Sequence, residues 1–418
     1  MTTTSASEKS RRSIAPEIIV AAGCLIAMIT WGPRSAAGAM QLPVLETRGW
    51  STEAYAFAFA VQNLLWGLGQ PISGRLADAY GSQRVLIGGA LLYALGVVLM
   101  TISTTPAAFT LTAGVIWGFG LSGCSITLII SGVGKMVPDR MRPLAFGLVG
   151  ASGSFGQFVF SPLAGWLIEG WNWQVACVVF ACMLGAIVPL SYLVASRSMK
   201  DSSADNGGAA DESWWTTLRD AMRDRSYMLV VIGFFTCGFQ LAFITVHFQR
   251  YVVESGLSAN VGYWAFALVG LFNVAGSIGS GSLCQRYPSR YVLAGIYFSR
   301  SVITLVFINL APSPIYALTF GALSGLLWLS TLAPTSAIVN RIFGPRNFGM
   351  LYGFAFLFHQ VGSFFGVWLG GVARQQLGSY DLVWYFSIAL GVASALISLP
   401  IKETPPKRNP QMAGAAAE

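Results

Sequence analysis

The sequence has little charge. Only 10% of its 418 residues are Asp, Glu, Lys or Arg, against roughly a quarter in soluble domains. Because 54% are hydrophobic, the composition excludes a water-soluble globular protein and predicts one that crosses the membrane repeatedly. The net charge of +8 does not indicate nucleic-acid binding, since the basic residues are scattered singly between apolar runs.

Histidine and cysteine are also scarce. The chain has two histidines, His247 and His359, and six cysteines that fall in predicted helices without metal-ligand spacing. We therefore expect no metal site, no disulfide framework and no cofactor. The sequence offers no membrane-embedded acid and no nucleophile paired with a base, which argues against an enzyme.

Twelve apolar runs are long enough for a bilayer core, which takes about 20 helical residues to cross. One long polar segment divides them into two halves of six. We predict an N-terminal bundle at 17–196, a linker at 197–225, a C-terminal bundle at 226–401, and cytoplasmic tails at 1–16 and 402–418. The predicted spans are 17–44, 52–77, 84–104, 107–135, 143–168, 173–196, 227–253, 259–285, 290–310, 313–341, 347–374 and 382–400.

The basic residues predict the orientation in the membrane. Of the 25 Lys and Arg residues, only Arg48, Arg250 and Arg374 fall in loops on the side opposite the termini. Cytoplasmic loops hold the excess of Lys and Arg, so both termini are predicted to be cytoplasmic. We expect a multi-pass protein of the inner, cytoplasmic membrane.

The two halves resemble each other. Residues 64–88 match residues 271–295 at ten of 25 positions without a gap. A similar shift aligns one set of glycines with another, Gly147, Gly156 and Gly165 with Gly353, Gly362 and Gly371. The pattern predicts an internal duplication, with a binding site between the two repeats near the middle of the membrane.

Arg34 is the only charge within the apolar segment from Ile18 to Leu45. An arginine at that depth costs about 2.5 to 3.5 kcal/mol even on lenient insertion scales, so it marks a functional site by default. Pro33 predicts a kink beside it, and Gly38 on the same face predicts room for a ligand. The alternative is that Arg34 bonds to backbone carbonyls and only holds helices together.

The segment between the second and third predicted helices resembles the facilitator-superfamily loop motif GxxxDRxGRR. Gly74, Asp78 and Gly81 are in place and Arg84 follows directly after the motif's last position, whereas Ala79 stands where the motif has a basic residue. The resemblance implies a cytoplasmic gate between the halves that includes Asp78 and Arg84.

A second motif starts at Arg140 and Arg142 and continues through spaced glycines to Gly156. It resembles the start of helix five in monocarboxylate transporters and in oxalate/formate antiporter-like bacterial carriers, and it adds Arg142 to the predicted gate. The resemblance implies an all-α major facilitator fold, with twelve helices in two pseudo-symmetric six-helix bundles. The Asp/Arg pair expected in helix eight is missing, and Arg34 replaces a lysine common in helix one, so the family's proton route does not carry over.

Several other polar side chains fall within the predicted helices. The substrate-binding candidates are Arg34, Gln240, His359, Asn63 and Asn273. Only the histidines have an ordinary pKa near neutrality, about 6.5, so His359 and then His247 are the candidates for proton coupling. Structural bonds between helices are the alternative for each, and Arg300 in helix nine is expected to be structural.

These patterns predict a secondary active transporter for a small organic anion, most simply a monocarboxylate, that works by alternating access. An arginine fork binds carboxylate through two charge-assisted bonds. The expected partners are a carboxylate substrate, protons and the bilayer, and we expect a monomer. The alternatives are a carrier for neutral or amphipathic molecules, in which Arg34 is structural, and a non-transporting membrane sensor.

Overall fold

The computed structural model describes residues 15–194 and 214–404. Most of the two predicted tails and most of the predicted linker lie outside these ranges. The part of the chain that is described is helical throughout, without strands.

Twelve long helices account for most of the described residues. Eleven are long and apolar enough to cross a membrane. The other, α2, has 29 residues and is less apolar, because it buries Gln62 and Asn63 in its middle. The predicted fold class is confirmed. In chain order the helices are α1 (Pro16–Arg48), α2 (Thr52–Tyr80), α3 (Ser82–Ile102), α4 (Pro106–Met136), α5 (Asp139–Gly170), α6 (Trp173–Val194), α7 (Arg225–Glu254), α8 (Ala259–Arg286), α9 (Ser289–Asn309), α10 (Pro314–Gly344), α11 (Asn347–Leu377) and α12 (Asp381–Ser398).

Four of the helices are interrupted along their length, and one of them is α6, at Ala186. In α1 the regular hydrogen bonding is broken at Ala36, whose N–H donates to the Pro33 carbonyl while the Gly32 carbonyl accepts the Ser35 hydroxyl over 2.6 Å. This interruption lies beside Pro33, where the kink is predicted. Helix α4 is broken at Cys124 and α10 between Trp328 and Thr331, which are equivalent places in the two halves.

The duplication is visible in matched helix contacts. A Cβ added to Gly156 would lie 2.4 Å from the carbonyl oxygen of Met28, and one added to Gly362 would lie 2.0 Å from that of Phe235. Met28 and Phe235 are equivalent positions, so α5 packs on α1 as α11 packs on α7. Only glycine permits such close backbone approach.

Each half has its own apolar core. One core joins buried residues that lie almost entirely between Ile19 and Val194, and the other lies between Leu218 and Ile401. A short helix, Trp214–Arg223, precedes α7 and buries Leu218 and Ala221 in the second core. The two bundles meet mainly where α2 contacts α11 and α5 contacts α8.

We call the end where α1 begins and α12 ends the tail end, and the opposite end the far end. The bundles are bonded together at the far end. Arg250 donates to the Thr52 hydroxyl over 2.6 Å, and the Thr52 backbone N–H donates to Gln375 over 3.1 Å. Glu254 forms ion pairs with both Arg250 and Arg374, which fixes this corner of the C-terminal bundle.

Helices α5 and α11 show how this contact changes along the membrane. Near the far end, a Cβ on Gly165 would lie 2.2 Å from the Tyr263 ring and one on Gly371 would lie 2.3 Å from Cβ of Ala56. Gly147 and Gly353 lie on the same helix faces about five turns nearer the tail end. A Cβ on either would have nothing within 4 Å.

Helices α2 and α8 show the same change. A Cβ on Gly67 would lie 2.8 Å from Gln360, and one on Gly270 would lie 2.5 Å from a carbonyl of α5. Gly74 and Gly281, on the same faces nearer the tail end, have open space instead. All four interface helices therefore diverge toward the tail end, so the molecule is closed at the far end and open at the tail end.

Candidate functional site

Arg34 lies at the break in α1, between the two bundles, where the space that opens toward the tail end begins. Its Nη2 donates to the Asn63 side-chain oxygen of α2 over 2.6 Å. Its Cζ lies 4.8 Å from the centre of the Trp66 ring and 5.9 Å from that of Trp31. Cation–π contacts of this kind contribute about 0.5 to 2 kcal/mol and hold the guanidinium in place while leaving its charge uncompensated.

Asn63 orients the arginine. Its Nδ2 donates to the Phe59 carbonyl over 2.8 Å, which turns its Oδ1 toward Arg34. The carboxylates of the described ion pairs all bond to other cations, and none contacts Arg34. The positive charge is thus held by neutral groups alone.

Three buried hydrogen-bond donors in this part of the interface have no partner among the described residues. They are Nε of Arg34 itself, the indole Nε1 of Trp66 and the amide Nε2 of Gln360. Gln360 is on α11 and packs against Gly67, next to Trp66. A buried donor without a partner costs about 1 to 3 kcal/mol, so the site is suited to a ligand rich in acceptors.

An aromatic path leads from Arg34 to His359 in the other bundle. Trp66 contacts Phe356 edge to face, with ring centres 5.6 Å apart, and Phe356 stacks on His359 at 5.7 Å. His359 Nδ1 lies 3.1 Å from Gln360 Oε1. Arg34 and Asn63, two of the five predicted binding residues, are thus in direct contact. His359 packs on Phe234 of its own bundle, with ring centres 4.8 Å apart, and the described contacts link it to Arg34 through Phe356 and Trp66.

Gln240 lies elsewhere, inside the C-terminal bundle. Its Nε2 donates to the Ser387 carbonyl over 2.9 Å, and its Oε1 accepts from Arg300 over 3.4 Å. Arg300 also donates to the carbonyls of Leu327 and Trp328 at the break in α10. These bonds fit the expected structural role of Arg300, and they give Gln240 a structural role as well.

Asn273 is 1% exposed and uses both ends of its amide. Its Nδ2 donates to Ser154 of α5 over 2.8 Å, and its Oδ1 accepts the Leu329 N–H over 2.9 Å. It joins α5, α8 and the α10 break, so substrate binding by Asn273 stays a prediction that this conformation does not support.

His247 lies in the closed far end. Its Nε2 is 2.9 Å from the Val367 carbonyl, which makes that nitrogen the protonated one. Its Nδ1 then accepts from Gln41 of α1 and Tyr380, both at 3.3 Å. His247 thus joins the two bundles in this state.

Gly38 corrects one expectation. A Cβ there would lie 2.7 Å from the Thr245 carbonyl of α7. The space that we expected Gly38 to leave for a ligand is filled by backbone in this conformation, since α1 and α7 cross closely just beyond Arg34.

The predicted gate residues lie at the open tail end. Asp78 and Arg84 are exposed, and neither has a partner among the described residues. Arg142 donates to the Gly134 carbonyl over 2.7 Å and pairs with Asp139 at 2.8 Å, both within its own bundle. A gate made by these side chains stays a prediction for the state closed at the tail end.

The sequence pattern did not single out Trp66, Phe356 and Gln360. Two weak signals existed, because Trp66 is one helical turn after Asn63 and Gln360 follows His359 directly. Only the packing of α2 on α11 shows that these residues face each other.

Twelve long helices in two related bundles, with polar groups at the interface between them, are the arrangement typical of transporters built from internal repeats. A family model described as the Major Facilitator Superfamily matches residues 20–336, and the chain belongs to this superfamily.

Curated relatives extend over most of the chain at low identity. The uncharacterized MFS-type transporter YcxA of Bacillus subtilis is 23% identical over 80% of this chain and 82% of its own length. Monocarboxylate transporter 13 of Bos taurus is 21% identical, over 79% and 76% respectively. A crystal structure of the nucleoside transporter NupG superposes with a TM-score of 0.77 at 12% identity, covering 92% of this chain and 99% of that one, which is a likeness of fold.

Proposed function

We propose that this transporter moves a small organic anion, a monocarboxylate, and that Arg34 binds the carboxylate group. The observation that carries the proposal is the uncompensated guanidinium between the bundles, oriented by a neutral partner, Asn63. Hydrogen bonds to charged groups contribute about 1.5 to 3 kcal/mol each, more than neutral ones. A carboxylate would therefore satisfy Arg34 better than a neutral solute.

The surrounding donors support an anion rather than a cation. Trp66 and Gln360 supply N–H groups, and Trp31 and Phe356 supply apolar surface for a short carbon chain. The relatives named as monocarboxylate transporters favour the same substrate class.

We further propose that the tail end faces the cytoplasm, in an inner membrane, and that a single chain is the transporting unit. The distribution of Lys and Arg supports this orientation. The structure is then the inward-open state, and transport would require the four interface helices to close at the tail end and separate at the far end.

An isosteric change tests the charge requirement. Asn63→Asp places a carboxylate 2.6 Å from Arg34, where it would form an internal ion pair and compete with the substrate. We expect uptake of labelled monocarboxylates into proteoliposomes to fall at least about tenfold while the melting temperature is kept or raised.

The matched control is Asn63→Leu, which removes the orienting oxygen but leaves Arg34 charged. It should weaken uptake less than Asn63→Asp does. Equal uptake by Asn63→Asp and the unaltered protein would contradict anion binding at Arg34 and favour a carrier for neutral molecules.

Where uptake is coupled to protons, we propose that His359 carries the proton, because contacts through Phe356 and Trp66 link it to Arg34. His359→Gln should abolish the stimulation of uptake by an inward proton gradient and retain exchange of substrate for substrate. His247→Gln is the control, since His247 lies in the far-end contact. Full gradient-driven uptake by His359→Gln would contradict histidine coupling.

A further inference from the structure

A second concentration of positive charge lies at the tail end of the C-terminal bundle, away from Arg34. There the α8–α9 loop, the end of α10 and the segment after α12 surround a cavity of about 480 Å³. Four cations line this cavity, Arg286, Arg290, Arg341 and Lys402, together with one carboxylate, Glu403.

The carboxylate is already engaged. Glu403 pairs with Arg341 and accepts the backbone N–H of Arg290 over 2.7 Å. The side chains of Arg286 and Lys402 are exposed and have no partner among the described residues. The cavity thus keeps an excess of positive charge that the protein does not neutralise.

Arg290 is held in position with a donor to spare. Its Nη1 donates to the Ile401 carbonyl over 3.0 Å and its Nη2 to the Tyr291 hydroxyl over 3.1 Å. Its Nε is buried without a partner among the described residues. A fixed guanidinium with an unused N–H is the arrangement that binds phosphate oxygens.

The internal duplication provides a comparison within the same chain. The equivalents of Arg286 and Arg290 in the N-terminal half are the uncharged Ala79 and Gln83, whereas the equivalent of Arg341 is Lys135. The loop after α2 and the start of α3 are thus built without the two cations that Arg286 and Arg290 provide in the other half, so these helix ends do not need them in order to pack.

We propose that this cavity binds a phosphate-bearing anion, either the headgroup of an anionic phospholipid or a soluble phosphate ester. The cavity has the size of an ordinary small-ligand site. It lies at the tail end, where α8 and α10 end and α9 begins, and basic pockets at the membrane surface attract anionic headgroups. A ligand bound in this cavity would contact the α8–α9 loop, the end of α10 and the segment after α12.

The test uses the full chain in a neutral detergent, with melting temperature as the readout. The probes are dioctanoyl phosphatidylglycerol, dioctanoyl phosphatidylcholine and glycerol 3-phosphate. The site variant is Arg286→Ala with Lys402→Gln, which removes two side chains without partners. The control is Arg75→Gln with Arg140→Gln, which removes the same charge from exposed positions at the tail end of the other bundle.

We expect phosphatidylglycerol to raise the melting temperature saturably, and phosphatidylcholine not to do so. The site variant should weaken the apparent affinity about tenfold or more, and the control should leave it unchanged. The same site-dependent response to glycerol 3-phosphate alone would support the site and assign it to a soluble ester. Absence of a saturable response to either phosphate probe, or equal weakening by the two double variants, would overturn the proposal.

Discussion

Replacing Arg34 with alanine is expected to reduce saturable monocarboxylate uptake by about 100-fold or more. The loss of a buried charge-assisted bond accounts for about 1.5 to 3 kcal/mol, and the unpaired substrate charge adds to it. Arg34→Lys keeps the charge but loses the fork and the planar stacking on Trp66. It should retain weak uptake with a raised KM, measured as initial rates in proteoliposomes.

The alternative, a purely structural Arg34, predicts a different pair of results. Both variants would then unfold at lower temperature, and the protein that survived would still transport. The contacts of Arg34 argue against this outcome, because its described side-chain bond is to Asn63 and its Nε has no partner. Arg300 shows the structural arrangement instead, with its donors on backbone carbonyls.

The second large loss of uptake is expected when a bulky side chain is introduced at the open tail end. Gly353→Phe should lower uptake to about 1% of normal or less while substrate binding is retained. Gly353 now has open space beside it, whereas Gly371, on the same face of α11, packs against Ala56. Closure at the tail end would bring Gly353 against α2 in the same way, and a phenyl ring would prevent it.

Gly295→Phe is the matched control, because Gly295 of α9 is also exposed with nothing within 4 Å of an added Cβ. It should transport normally. Uptake is measured in proteoliposomes and binding by thermal shift. Normal uptake by Gly353→Phe would mean that α11 does not close at this level, which would contradict the proposed alternating movement.

Helix number, the duplication and Arg34 could be predicted from the sequence because each depends on a single strong signal. Hydropathy gives the spans, and an isolated charge is conspicuous against an apolar background. Gly362 and Gly366 are four residues apart on α11, a spacing that predicts close helix packing. Helix α7 lies against them, and Cβ atoms added to these glycines would be 2.0 and 2.2 Å from its carbonyls.

The side chains around Arg34 could be predicted only in part. Gln240 and Asn273 lie at a depth in the membrane that suits a binding site. Depth does not determine which way a side chain faces around the helix axis, and both side chains bond to other parts of the protein. Trp66 meets Phe356 and Gly67 meets Gln360 across the bundles, and no spacing within one helix indicates these contacts. Which end is open depends on whether the two bundles contact each other more favourably at the far end or at the tail end, so no short stretch of sequence indicates it.

The most direct measurement of the central claim is a thermal-shift titration of purified Arg34→Ala. The ligand is the best substrate found in an uptake panel of labelled monocarboxylates, and the unaltered protein and Arg34→Lys are titrated beside it. Direct carboxylate binding predicts that the stabilisation is lost in Arg34→Ala and shifted to higher substrate concentration in Arg34→Lys. Undiminished stabilisation of Arg34→Ala by the substrate would contradict the assignment of Arg34 as the anion-binding residue.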